Sequence, residues 1–304
     1  MLTFEGLYTR LQDLTDDDTT ATTTLFKALI NETHKHICGS RTWSFLEATH
    51  TQTLTTGQQI IKLPVNFRKL ENFSITVSDI DYYPEYVANT TKFDRINAWG
   101  SQVQSDYPVY YGIREKKLKL YPAVSTASLV ATTQYIKRPR DMTADDYDTG
   151  TITAIANADT TVTGNSTVWT SAMEGRYIKL SDGEWYEIAS VESNTELELD
   201  IPYEGATIAA GSAAYTIGEL PLIPDEYQDL LLYKPLGIYY SVKKGQPQVG
   251  QVYYTGEQRQ PGMYESMYRD MLREYATKTT TLVQDAPGYR TEIINPNNYP
   301  RDIT

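Results

Sequence analysis

Cysteine occurs once in the 304 residues, at Cys38, and histidine three times, at His34, His36 and His50. One thiol excludes an internal disulfide, and Cys38 falls near the end of a predicted helix, where it reads as a small buried apolar group rather than a nucleophile. His34 and His36 stand two apart on that helix, point to different faces and cannot chelate one ion together. Long apolar runs are also missing. No stretch approaches the roughly 18 residues of a membrane span, so none is expected. The N-terminus, Met1-Leu-Thr-Phe-Glu-Gly-Leu7, has neither a basic segment nor an apolar run, so no signal peptide is expected and synthesis in the cytosol is.

Catalytic signatures are equally sparse. There is no Gly-x-Ser-x-Gly elbow, Walker loop or dinucleotide fingerprint. Asp145, Asp146, Asp148 and Gly150 open like a calcium loop, but the later ligands and the closing Glu are absent. Three adjacent carboxylates at Asp16-Asp-Asp18 cannot all face one ion and read as a cap for the helix that follows. Glu184 and Glu187 would make a poor glycosidase pair, because strand alternation sets them on opposite faces. The expectation is a protein with no enzymatic activity, no cofactor and no metal.

What is present is acid and tyrosine. The net charge is −12, and residues 150–218 hold ten acidic side chains against two basic ones, −8 of that total. Such a surface repels nucleic-acid phosphates and argues against a sequence-specific DNA reader. Tyrosine numbers 25 against 6 Phe and 4 Trp. A Tyr ring buries its body while its hydroxyl reaches a polar partner, which suits interfaces; it also fills strand positions well.

The periodicities give an α+β fold. Leu7, Leu11 and Leu14 predict a helix from Phe4 to Leu14. Leu25, Leu29, Thr33 and Ile37 predict a second from Thr20 to Ile37, stopped at Gly39. From Trp43 to Pro139 the period turns to two, with strands at Gln59–Leu63, Leu70–Val77 and Leu129–Ile136. A hairpin, Tyr110–Ile113 and Lys117–Tyr121, turns at Arg114-Glu-Lys116. Residues 150–218 then read as a small all-β module, sandwich or barrel-like, inserted in the host. In it Leu197, Leu199 and Ile201 point inward, and Asp182-Gly183 marks a hairpin. A helix from Tyr227 to Val242, kinked at Pro235 and ended by Gly245 and Pro247, follows. The next, Met263 to Ala276, carries Met263, Met267, Met271 and Tyr275 on one face, with Tyr264, Tyr268 and Leu272 beside them. Beyond Thr277, Pro287, Pro296 and Pro300 predict an extended arm. The expected organisation is an antiparallel-sheet and helix host over 1–149 and 219–277, the insert over 150–218, and the arm over 278–304. Because Leu129–Ile136 and Tyr227–Val242 share one core, the two ends of the insert must lie close together.

Arg114, Lys116, Lys117, Lys119, Lys137, Arg138 and Arg140 form one basic patch if the hairpin and the following strand are neighbours. That patch suits an acidic partner or a passing nucleic-acid backbone, or else is a solvated edge guarded by Lys. The candidate interface residues are Lys116, Lys117, Lys119, Lys137, Arg138 and Arg140, with Tyr264, Met267, Tyr268 and Met271 on the Met-rich helix.

The order of the host carries a resemblance. Helix Leu25–Ile37 runs into Trp43-Ser-Phe45-Leu46. Leu63-Pro64-Val-Asn-Phe67, Phe93-Asp-Arg-Ile-Asn97, Pro108-Val-Tyr-Tyr111, Leu118-Lys-Leu-Tyr-Pro122 and Tyr135-Ile-Lys-Arg-Pro139 follow in turn. After the insert, Ile223-Pro-Asp-Glu-Tyr227 opens the closing helices. This resembles the head-to-tail connector (adaptor) proteins of tailed bacteriophages over roughly Leu25 to Ala276, the insert excepted. The resemblance implies a non-catalytic virion protein of the neck, assembled in the host cytoplasm. It implies a homo-oligomeric ring, commonly a dodecamer, under the portal protein, touching the next neck or tail protein and passing genome DNA without sequence-specific binding. No membrane is involved. The alternative is a tail or receptor-binding component whose β-module binds carbohydrate.

Overall fold

The computed structural model describes residues 1–99, 104–105, 107–125, 128–256 and 261–275. The arm expected over 278–304 lies outside the described residues. The fold is α+β, with helices set beside several largely antiparallel sheets.

Helix α1 (Phe4–Thr15) begins because the Thr3 hydroxyl accepts from Gly6 N–H at 3.0 Å, and it buries Phe4, Leu7, Tyr8 and Leu11. Helix α2 (Thr20–Ser40) is capped by Thr19, whose hydroxyl accepts from Thr22 N–H at 3.4 Å. The acidic run stands behind this cap instead of forming it. Asp17 accepts from the hydroxyls of Tyr239 at 2.6 Å and Thr19 at 3.0 Å, and chiefly the first holds its carboxyl below the usual range. Helix α2 passes Gly39 and ends one residue later. Its last turn contains no basic residue. The cation comes instead from Arg68, whose guanidinium donates to the carbonyls of Cys38 (2.6 Å), Gly39 (2.7 Å) and Arg41 (3.2 Å). These are the orphan carbonyls of a helix C-terminus. Arg68→Ala is therefore expected to cost about 1–2 kcal/mol in a urea titration, and Lys, with charge but no fork, about half of it.

The closing helices depart from the single kinked one expected. A 3₁₀ turn (Asp225–Tyr227) precedes helix α4 (Leu230–Ile238), which contains Pro235 and widens into a π-turn at Tyr239–Lys243. Proline has no N–H for the ladder, and the wider turn follows directly. Gly245, at φ 64°, stops this segment, but Pro247 opens helix α5 (Pro247–Tyr253), which the sequence reading took for an end. Helices α4 and α5 touch backbone to backbone. A Cβ on Gly250 would lie 2.5 Å from the Gly237 carbonyl. Helix α6 (Met263–Tyr275) then covers the bundle with Tyr264 and Met271, while Met263 is 45% exposed and falls off the expected stripe. Ile30, Trp43, Leu46, Leu231 and Tyr239 complete this core. The Trp43 indole donates to the Ile37 carbonyl at 2.8 Å.

Two four-stranded sheets pack face to face beyond α2. The strands are β1 (Glu47–Leu54), β2 (Ile60–Lys62), β3 (Phe67–Val77), β4 (Ile80–Tyr82) and β5 (Glu85–Tyr86). After helix α3 (Thr90–Trp99) come β6 (Gln104–Ser105), β7 (Tyr110–Arg114), β8 (Lys117–Tyr121), β9 (Ala123–Val124) and β10 (Leu129–Lys137). One sheet has the order β1-β10-β3-β4 and the other β2-β8-β7-β5, with β6 and β9 as a separate pair. Leu54, Ile61, Phe73, Tyr111, Leu118 and Leu129 fill the space between them. The β7–β8 hairpin turns on Glu115 and Lys116, both at positive φ (52° and 57°), without the glycine such turns favour.

Residues 151–218 form one seven-stranded sheet. Its strands are β11 (Thr151–Ile155), β12 (Thr161–Asn165), β13 (Tyr177–Lys179), β14 (Trp185–Ser193), β15 (Glu196–Leu199), β16 (Ile208–Ala213) and β17 (Thr216–Gly218). The order is β16-β11-β12-β15-β14-β13-β17, and Ile152, Val162, Trp169, Ile178, Tyr186, Leu197 and Ile217 share a core separate from the helical one. Gly183, at φ 88°, makes the β13–β14 turn. Ile201 does not point inward: β15 ends at Leu199, and Ile201 is 50% exposed. The chain enters and leaves side by side, since Tyr147 and Ile217 exchange backbone hydrogen bonds of 2.9 and 2.7 Å.

Candidate interaction surfaces

The charged residues that matter most to the architecture meet where the β-module joins the helices. Glu219, the first residue after β17, is 8% exposed. Its carboxylate accepts from the backbone N–H groups of Thr143 (2.5 Å) and Ala144 (2.9 Å) and lies 3.9 Å from the Arg176 guanidinium. Its own carbonyl accepts from Phe4 N–H at 2.8 Å. One residue thus ties α1, the segment entering the module and the module itself. Arg140 adds a second tie, donating to the Gly175 carbonyl at 2.6 Å.

The aspartates that open like a calcium loop are engaged in the same junction. Asp145 accepts from Lys27 (2.6 Å) and the Tyr8 hydroxyl (2.9 Å), and the lysine chiefly holds its carboxyl below its ordinary value. Asp146 accepts from the Thr3 hydroxyl at 2.7 Å, and burial raises it. Among the described residues no cluster of His, Cys, Asp and Glu is placed to hold a metal. His34 is buried on α2, accepts from Leu222 N–H through Nε2 at 3.1 Å, and is pushed down to about 4 by desolvation. Burial likewise lifts the Cys38 thiol to about 12, which keeps it protonated and unreactive.

The expected basic patch is two groups, because the hairpin and strand β10 belong to different sheets. Arg138 and Arg140 line a groove of about 890 Å³ with Lys35, Arg68 and Asp141. Lys137 joins both arginines in a smaller cavity of about 240 Å³ against Tyr177 and Glu187 of the module. Arg138 is held by the Val65 carbonyl at 3.1 Å, and Lys35 pairs with Asp141. Lys117 and Lys119 stand instead on the outside of the second sheet, opposite Lys62 and Ile60 in register, with Lys116 at the hairpin tip. On α6, Tyr264 and Met271 are 4% and 0% exposed and are spent on the chain's own core, while Met267 and Tyr268 are partly buried beside them.

Sequence reasoning missed a further group. Ile80, Tyr83, Tyr86, Tyr107 and Val109 are 37–65% exposed around β4, β5 and the start of β7. Tyr82 stacks on Tyr107 at 4.1 Å between ring centroids. The sequence Asp79-Ile-Asp-Tyr-Tyr-Pro-Glu-Tyr86 was the available signal, a dense run of Tyr among acids. Aromatics left half-exposed in this way are typical of surfaces that meet other proteins.

A helical core fused to a β-sandwich, with its unusual residues at a junction and along open sheet edges, defines a structural component that works by contact. The comparison with protein families makes this specific. A family model described as SU10 adaptor protein matches residues 2–163, more than half of the chain, and the chain belongs to that family of phage head–tail adaptors. The match runs from α1 into β12 and leaves α4, α5 and α6 outside. A comparison with curated proteins gives no match. Among the described residues no helix is long and apolar enough to cross a membrane.

Proposed function

We propose that the protein is the neck adaptor that forms a ring beneath the portal and joins the capsid to the tail, with the genome passing through its channel. Membership of the adaptor family, established by the match over residues 2–163, is the observation that carries this reading. The ring is a dodecamer matched to the portal, and it also meets the next neck or tail protein. DNA slides through without sequence-specific contact, as an acidic channel lining would allow by repelling phosphates. The subunit assembles in the host cytoplasm and resides in the virion neck. Residues 1–149 and 219–275 act as the host, and 150–218 project from the ring wall. Groove residues Arg138 and Arg140, with Lys137 beside them, serve contacts between proteins.

Sedimentation of the full chain with purified portal rings tests this. A portal complex that saturates at a fixed number of copies is the expected result; free protein that never co-sediments with portal contradicts it.

A further inference from the structure

The β-sandwich of the host has two open flanks, and they are opposite in charge. β1 and β2 are edge strands of their sheets and are joined by residues 55–59, while the opposite edges, β4 and β5, are joined by residues 83–84, so each short connection keeps its pair on one flank. Each presents unpaired backbone N–H and C=O groups to solvent. The β2 flank is basic. Lys62 and Lys116 are exposed, and Lys117 and Lys119 are half-buried beside them, with Ile60 45% exposed in their midst. Among the described residues Glu115 at the hairpin tip is the carboxylate beside these lysines, with Glu47 exposed at the far end of β1. The β4–β5 flank is acidic and apolar. Asp79, Asp81 and Glu85 are all exposed, interleaved with Ile80 at 58%, Tyr83 at 65% and Tyr86 at 50%. Among the described residues, neither these lysines nor Asp79, Asp81 and Glu85 take part in an ion pair; Asp81 accepts only from the Thr76 hydroxyl at 2.6 Å.

We infer that the acidic, tyrosine-bearing β4–β5 flank of one copy docks on the lysine-bearing β2 flank of the next. The inference rests on the ring reading and names the surface that closes the ring. Charge complementarity selects the partner. Two like flanks would bring lysine to lysine or aspartate to aspartate, whereas unlike flanks bring opposite charges together around exposed Ile60, Ile80, Tyr83 and Tyr86. Because each copy offers one flank of each kind on opposite sides, the contact is head-to-tail, the type that closes into rings when its rotation fits. The lysines, which the sequence alone leaves as either a docking patch or guards of a solvated edge, thereby gain a partner.

Charge reversal on the full chain tests this, read by sedimentation velocity alone and on portal rings. Lys62→Glu with Lys119→Glu makes both flanks acidic, and Asp81→Lys with Glu85→Lys makes both basic. Each double variant is expected to assemble on the order of a hundredfold more weakly than wild type. An equimolar mixture is expected to recover assembly, because every junction then joins opposite charges. Variants that assemble like wild type, or folded variants whose mixture recovers nothing, overturn the flank pairing while leaving the adaptor reading intact. Wild type that stays monomeric even on portal rings overturns both. Should a reversed variant fail to fold, Lys62→Gln with Lys119→Gln decides. The pairing requires that it flatten the salt dependence of assembly, and an unchanged dependence contradicts it.

Discussion

Glu219→Ala is expected to lower the unfolding free energy by about 3–5 kcal/mol, the range for removing one partner of a buried charge pair. Two losses act together. Arg176, with its side chain 8% exposed, keeps its charge but loses its nearest carboxylate, leaving only the more distant Asp145 and Asp146. The N–H groups of Thr143 and Ala144 lose the acceptor that holds them at 2.5 and 2.9 Å. The carboxylate lies 3.9 Å from Arg176, so the backbone bonds account for the larger share. Glu219→Gln keeps the shape and one acceptor oxygen, and is expected to lose about 1–2 kcal/mol. Urea unfolding followed by both far-ultraviolet circular dichroism and tryptophan fluorescence reads this out. Trp43 lies in the helical core and Trp169 in the module's core, so loosening of the junction also separates the two transitions. An alanine variant within 1 kcal/mol of wild type would show that Glu219 does not fasten the module.

Acidification is expected to cost stability between about pH 6.5 and pH 4 through His34. The buried imidazole is pushed down to about 4 by desolvation. In the unfolded chain it takes a proton near 6.5. Between these values the unfolded state binds more protons than the folded one, so stability falls as pH falls; above 6.5 and below 4 this group contributes no slope. The loss is about 1.4 kcal/mol per pH unit within the window, about 3 kcal/mol in all. Asp146, raised by burial, works in the opposite sense at the acid end of the window, because its folded form takes up a proton more readily. Asp145, held low by Lys27, loses its stabilising contribution only at still lower pH. His34→Gln keeps an acceptor for Leu222 N–H and removes this titration, so its stability should fall much less steeply than the wild type's between about pH 6.5 and 4, the remaining slope coming from His36, also lowered by burial, and from Asp146. Parallel profiles for the two proteins would remove His34 as the cause.

What the sequence revealed divides by range. Features set by neighbouring residues were legible: the α1 and α2 periodicities, the alternation of Leu118 and Leu120 with Lys117 and Lys119, and the Asp182-Gly183 turn. The closeness of the module's two ends followed from topology, and the Tyr147–Ile217 bridge realises it. Pro247 was misread because a proline marks a helix start as readily as a stop, and only the packing of Gly250 on Gly237 shows which. Ile201 continued an alternation that outlasted its strand. The residues that knit the fold together were invisible for a single reason. Arg68 caps a helix ending some 30 residues earlier, His34 meets Leu222 across 188 positions, and Glu219 reaches back 75 to Ala144. No local pattern encodes such pairings. The basic patch was half-legible: lysines and arginines were found, but their division between two sheets depended on strand order. The exposed tyrosines of β4 and β5 were counted in the composition without being located.

The adaptor reading meets its most direct test in electron microscopy of the purified full chain with and without portal rings. The account predicts annular density stacked on one face of the portal, with the same rotational symmetry and with peripheral knobs from residues 150–218. Portal rings that remain bare at saturating protein, with the chain monomeric beside them, would contradict it.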